Sequence, residues 1–533
     1  MKAAPEKRYN QGVLPYARAR TTEPDLIPSP ASLDPTANAG LRAALRDLKS
    51  PVRAGDAFAP ALLPEALGDP AFRREHRVRY AYATGAMANG IASVELVEAA
   101  ARAGLLGFFG AAGLSPAKVE EAAARLQAAL GDLPHGFNLI HSPSEPALEE
   151  AVADVYLRRG VRLVEASAFM GLTPAIVRYR LSGLRRGADG RVAAPNKVVA
   201  KVSRAEVAEK FLSPAPEGLR RELAAAGLIT AEEAALGAEI PMAQDLTVEA
   251  DSGGHTDNRP LVSLLPSVIA LRDRLRSRLK LAVAARVGAA GGIATPAAAA
   301  AAYLMGAAYV LTGSVNQACV ESGTSDRVRR MLAEAGQADV VMAPAADMFE
   351  LGVKVQVLKR GTMFAMRGAR LHELYRAHDS LESLPAAARA ALERDFFREP
   401  LEAAWEKTKA FFLQRDPAQV ARAQADPKHK LALVFRSYLG QASRWANAGV
   451  PDRALDYQIW CGPAMGAFNE WVRGSFLEAP EARRAAVVAR NILHGAAVLT
   501  RAHFLRCQGV ALDPETVHPE PLTPEELDRA LDR

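Results

Sequence analysis

Cysteine is nearly missing from this chain of 533 residues: Cys319, Cys461 and Cys507 are odd in number, far apart and without C-x-x-C spacing. That argues against a disulfide framework and a structural zinc site, and it fits a reducing cytoplasm. Aromatic residues make up only 6%, no Lys/Arg block is interleaved with them, and the formal charge of +6 is spread along the chain. Nucleic-acid binding is therefore not expected, although a basic surface suits an acidic or phosphorylated partner. No apolar run is long enough to span a bilayer, since the Ala-rich run Ala297 to Tyr303 reads as a buried helix. Met1 to Asn10 lacks the apolar core of a signal peptide. No membrane association is expected. Also missing are H-E-x-x-H, a G-x-S-x-G elbow, and a G-x-G-x-x-G turn after the first strand. No metal is expected, a nucleophilic mechanism is disfavoured with Cys319 read as structural, and a Rossmann sheet loses its signature.

What is present is alternation. Residues 1–76 are rich in Pro, Ala and Arg, with Pro28, Pro30, Pro35, Pro51, Pro60 and Pro64 interrupting any helix, so they predict an irregular segment or small subdomain. From there strands are predicted at Arg79 to Thr84, Leu105 to Phe109, Phe137 to His141 and Arg162 to Glu165. Four more follow at Lys197 to Val202, Gln244 to Val248, Leu281 to Arg286 and Ala308 to Leu311. Helical patterns separate them, with Ser93 and Ser115 as N-caps, Pro116 at a first helical position, and Ser203 as a candidate cap for Ala205 to Leu212. Glu217 to Leu236 reads as an inserted helical pair. Eight such units predict an α/β fold, a (β/α)8 TIM barrel over residues 77–318. Residues 319–533 lose the alternation and predict an all-α accessory or substrate domain.

In such a barrel the loops after the strands gather on one face, so residues distant in sequence converge. The sixth loop, Glu249 to Pro260, holds His255 behind Gly253-Gly254, with Asp251 and Asp257 placed to set the imidazole's tautomer and charge. By itself it reads equally well as an exposed glycine turn. Gly291-Gly292-Ile293 before Thr295 and Pro296, and Gly313-Ser314 after the last strand, offer backbone N–H groups and a hydroxyl for a phosphate. The small-residue loop containing Ala86, Met87 and Asn89 lets a flat ring lie against backbone, and Asn89 and Asn138 offer amide contacts to its polar edge. These features fit FMN, with Lys201 placed to stabilise negative charge on the ring or, alternatively, reaching solvent. His141 is a second candidate proton donor without flanking glycines or carboxylates.

Four blocks carry a family resemblance: Tyr82 to Ile91, Glu249 to Pro260, Ala289 to Thr295, and Ile459 to Asn469. Together they resemble the PfaD-type trans-acting enoyl reductases of polyunsaturated fatty acid and polyketide synthases. The barrel half is similar to the wider superfamily of nitronate monooxygenases and FMN-dependent enoyl-ACP reductases. The resemblance implies FMN, NADPH as hydride donor, His255 as catalytic histidine with Lys201 beside it, and an enoyl thioester on an acyl carrier protein as substrate. A homodimer is the expectation for assembly. The alternatives are a nitronate monooxygenase-like flavin oxidase and a non-catalytic docking component of a megasynthase.

Overall fold

The computed structural model describes residues 35–143 and 145–531; the first 34 residues of the expected N-terminal segment lie outside them. Eight parallel strands close into a barrel in the order of the chain. They are β1 (Tyr82–Thr84), β2 (Leu106–Phe109), β3 (His135–Ile140), β4 (Leu163–Ser167), β5 (Lys197–Val202), β6 (Asp245–Glu249), β7 (Arg286–Ala290) and β8 (Val310–Thr312). Helices alternate with them: α1 (Val94–Arg102), α2 (Pro116–Leu130), α3 (Pro146–Arg158), α4 (Pro174–Leu181), α5 (Ala205–Leu212), α6 (Leu261–Leu279) and α7 (Pro296–Leu304).

The local signals explain most of these starts. The Ser93 hydroxyl accepts from the Leu96 N–H at 3.0 Å, and Ser115 accepts from Lys118 with Pro116 opening the helix, each satisfying an N–H that the first turn leaves free. Ser203 departs from expectation. Its hydroxyl donates to Asp257 at 2.6 Å, and α5 has no side-chain cap. The seventh strand is also shifted, occupying Arg286–Ala290 rather than Leu281 to Arg286. Gly288 reads as a loop in sequence, yet a Cβ there would meet the Tyr309 ring at 2.5 Å. The glycine makes room for an aromatic ring inside the sheet.

The floor of the barrel is closed by a buried ionic group. Asp245 on β6 receives His76 at 2.8 Å and Arg286 at 2.6 and 2.8 Å. Burial favours its neutral form, but these two partners outweigh burial and lower its pKa.

After β8 the chain does not supply the eighth ring helix at once. That place, between α7 and α1, belongs to the helix Ala485–Cys507. Its Gly495 comes so close to Pro296 that a Cβ would clash at 2.6 Å. The intervening stretch leaves and returns at one point, where the Val320 N–H donates to the Arg483 carbonyl at 2.9 Å. Residues 319–533 are thus mainly helical, but they are not one appendage: the closing helix is part of the barrel wall. The hairpin Val52–Ala54 and Ala57–Ala59 and the helix Pro35–Arg46 pack on that same helix. Arg501 donates from it to the carbonyls of Leu45, Asp47 and Ser50.

The inserted stretch has a hydrophobic core of its own around Phe349, Phe364, Leu431 and Tyr438. An all-α reading of it is corrected by two strands, β9 (Val340–Pro344) and β10 (Lys354–Leu358), paired antiparallel. Its helices include α8 (Leu401–Arg415) and α9 (Pro427–Ala448). No helix among the described residues is long and apolar enough to cross a membrane.

Candidate active site

The insertion is fastened across the strand-end face of the barrel. On one side the loop after β6 leaves the barrel and forms a short strand, Gly254–His255, paired antiparallel with Gln356 and Val355 of β10. On the other side Asn89, in the loop after β1, donates to Ser443 on α9 at 3.0 Å. Glu145, in the loop after β3, accepts from Arg415 of α8 at 2.9 Å. The mouth is therefore bridged by the insertion from strand 6 to strands 1 and 3.

His255 Nε2 lies 3.0 Å from Asp347 Oδ2, a carboxylate of the insertion 92 residues downstream. Burial disfavours the imidazolium, but the Asp347 bond and charge, with Glu249 adding to them, outweigh it and raise the His255 pKa. Asp251 and Asp257 do not serve this histidine. Asp251 accepts from Asn258 and from Gln356, both at 2.8 Å. Asp257 takes a two-pronged contact from Arg204 at 2.8 and 2.7 Å plus the Ser203 hydroxyl, and the guanidinium holds its pKa at about 2. Both aspartates shape the loop, whereas a residue with no local signal in sequence orients the imidazole.

Lys201 does not reach solvent. Its ammonium is 3.2 Å from Glu249 Oε1 and 4.0 Å from Glu165 Oε2. Burial disfavours its charge, yet the two carboxylates outweigh burial and raise its pKa. Glu165, fully buried, moves the opposite way for a carboxylate: burial raises its pKa and the nearby Glu249 charge adds to this, against Lys201. The cluster is a Lys201–Glu249 ion pair beside the buried Glu165, whose pKa burial raises. Glu165 Oε2 accepts from the Ala86 N–H at 3.2 Å, and Oε1 is buried without a partner. Sequence reasoning passes over Glu165, although a carboxylate inside Leu-Val-Glu-Ala-Ser is a usable signal, since a barrel strand seldom buries a charge without a task.

The remaining candidates divide. Gly254, Gly291 and Gly292 all have left-handed backbones, with φ of 81°, 79° and 75°. A Cβ on Gly291 would strike the Ala250 backbone at 2.6 Å, while Gly292 faces open space. The open side of Gly292 lets a ligand come close to the backbone there. Gly313 also has open space around it, and the Ser314 hydroxyl accepts from the Gly462 N–H at 3.3 Å. Ile293 is buried in the barrel core, and Met87 packs against that core. Asn138 donates to the Glu165 carbonyl and to Ser167, both at 3.0 Å, so both its N–H groups are used within the barrel. Asn89 spends one on Ser443. His141 is held by Glu149 at 2.9 Å and stacks on Phe169. Cys319 is buried, with its thiol pushed up by burial.

The block around Cys461 joins this site from the far end of the insertion. A Cβ on Gly253 would meet the Cys461 N at 2.8 Å, and one on Gly462 would meet the Gly253 N at 2.8 Å. Two backbones cross here with no room for a side chain on either. The crossing brings the histidine loop, Gly462 and Ser314 together.

Residues 76–394 match the nitronate monooxygenase family, and residues 378–457 match the inserted helical domain of [acyl-carrier-protein] S-malonyltransferase. The chain is 51% identical to a polyunsaturated fatty acid synthase subunit of Thraustochytrium sp., over 83% of this chain and 30% of that protein. It is 44% identical to the polyketide biosynthesis protein PksE of Bacillus subtilis, over 88% of this chain and 60% of that protein. Among solved structures it resembles the enoyl reductase domain of MlnA, from the macrolactin biosynthesis cluster of Bacillus amyloliquefaciens. There the TM-score is 0.78 at 36% identity, covering 83% of this chain and 99% of that one. Each of these two curated relatives is longer than the region matched, the chain spanning 30% and 60% of their lengths.

Proposed function

The chain belongs to the nitronate monooxygenase family, and on that premise we propose that it is a trans-acting, FMN-dependent enoyl reductase. Its substrate is an α,β-unsaturated thioester on an acyl carrier protein of a polyketide or polyunsaturated fatty acid synthase, and NADPH is the hydride donor. A relative named as a synthase subunit, another named as a polyketide biosynthesis protein, and an enoyl reductase domain of the same fold support this reading. So does one geometric observation, the His255–Asp347 pair at the mouth of the barrel.

The residues present fit a flavin phosphate and ring. Gly291 and Gly292, with Gly313 across the adjacent strand, would hold the phosphate by backbone N–H groups, and the unpartnered Glu165 Oε1 awaits a polar group. A flavin bound there would supply, once reduced by NADPH, the hydride for the enoyl β-carbon. His255, kept protonated by Asp347, delivers a proton to the α-carbon, and Asp347 stabilises the imidazolium before that transfer. Lys201 holds a positive charge beneath the site and is itself fixed by Glu249. The barrel then consists of residues 77–318 with the closing helix Ala485–Cys507, and residues 322–483 are the substrate-side insertion.

The deciding experiment is an absorbance spectrum under anaerobic NADPH, followed by addition of a crotonyl thioester. Bleaching by NADPH and recovery on addition of the thioester are expected. A nitronate oxidase would instead be insensitive to NADPH and would bleach with a nitronate. A colourless protein would leave only the docking role.

A further inference from the structure

The rim of the mouth above β1 and β3 carries a cluster that this chemistry leaves unused. Phe411 on α8 is 40% exposed, and two guanidinium groups lie over its ring. That of Arg415 is 5.6 Å from the ring centroid, and that of Arg444 on α9 is 5.5 Å from it. Arg415 is neutralised by Glu145. Arg444 is exposed, and among the described residues its guanidinium has the Phe411 ring and no carboxylate or hydrogen-bond acceptor. Glu145 already meets the Arg415 charge, so of the two, among the described residues, the Arg444 charge is the one left without a counter-ion. The cluster is also anchored at the mouth: Ser443, next to Arg444, receives Asn89, and Arg415 holds the loop after β3.

We propose that Arg444, with Phe411 and Arg415 beside it, is the docking point for the phosphodiester of a phosphopantetheine arm borne by an acyl carrier domain. The planar fork of a free guanidinium matches two phosphate oxygens at once, which an ammonium does not. An exposed aromatic ring beside it supplies apolar area for the carrier's own surface. The phosphate stays at the rim while the thioester enters beneath the insertion. The thioester class rests on the enoyl reductase reading, but the phosphate contact can be measured without turnover.

The test compares equilibrium binding of crotonyl-pantetheine and crotonyl-4′-phosphopantetheine to the full chain and to Arg444→Ala. In the wild type the phosphate should tighten binding about tenfold, and in Arg444→Ala the two thioesters should bind alike. Equal binding by the wild type, or a phosphate preference that survives in Arg444→Ala, overturns the proposal. Phe411→Ala should weaken a crotonyl carrier domain more than the free phosphopantetheine thioester. Equal weakening of both overturns the assignment to a carrier. If the wild type shows the phosphate preference yet reduces neither thioester, the enoyl reductase reading fails while the docking site stands.

Discussion

At His255 two environments compete. Partial burial favours the neutral ring, and a carboxylate from another part of the chain favours the cation and prevails. A raised folded pKa means the proton is bound more tightly folded than unfolded, so the pair contributes stability below the unfolded pKa and loses it as pH rises through the folded one. If His255 is the proton donor, activity should persist above pH 6.5 and fall only on passing the raised pKa. Asp347→Asn should move that fall to lower pH in a kcat profile while leaving flavin reduction by NADPH unchanged. An unmoved profile would remove Asp347 from the mechanism. His255→Ala should reduce enoyl turnover by roughly 10²–10⁴-fold at full flavin occupancy, and a wild-type rate would end the proton-donor role.

Among elements, the contact that bears on the site is the backbone crossing of Gly253 with Cys461 and Gly462. It allows β10 to accept Gly254–His255 as a third strand, because any Cβ there would hold the loop away. The obstructing atoms belong to main chain and cannot swing aside. Gly462→Ala should therefore cost about 1–3 kcal/mol, as overpacking does in a closed interior. It should also loosen His255 from Asp347, visible as a lower melting temperature together with a lower enoyl reduction rate. Gly218→Ala, at an exposed helical position where a Cβ would meet nothing within 4 Å, serves as the surface comparison.

Across the whole molecule, the barrel supplies the floor and the insertion supplies the cover. The floor depends on Asp245, whose lowered pKa gives stability above the unfolded carboxylate pKa and loses it as pH falls through the folded value. Asp245→Asn leaves Arg286 and His76 facing an uncharged partner inside the barrel. It should cost about 3–5 kcal/mol at pH 7 by denaturant titration, with a deficit that shrinks in acid. A loss under about 1 kcal/mol would show that water reaches the group. The cover depends on topology. Because the ring helix Ala485–Cys507 arrives only after the insertion, cutting the chain within residues 322–483 separates the barrel from its own wall.

The sequence alone determined the strands and helices whose patterns are local. Short apolar runs, serine caps and glycine loops specify eight strands and the seven helices between them, because the forces that start and stop such elements act within a few residues. It also singled out His255, Lys201 and the Gly291–Gly292 turn, since a glycine-flanked histidine and paired glycines are visible locally. What only the tertiary structure decided was partnership. Asp347 rather than Asp251 or Asp257 holds His255, Glu165 and Glu249 hold Lys201, and Asn138 and Asn89 use their amides within the protein. Charge pairing and backbone crossing depend on distance in space, which a chain looping out for some 160 residues and returning to its starting point does not record in its spacing. The same holds for Gly288, a turn by composition and a packing site once Tyr309 lies against it.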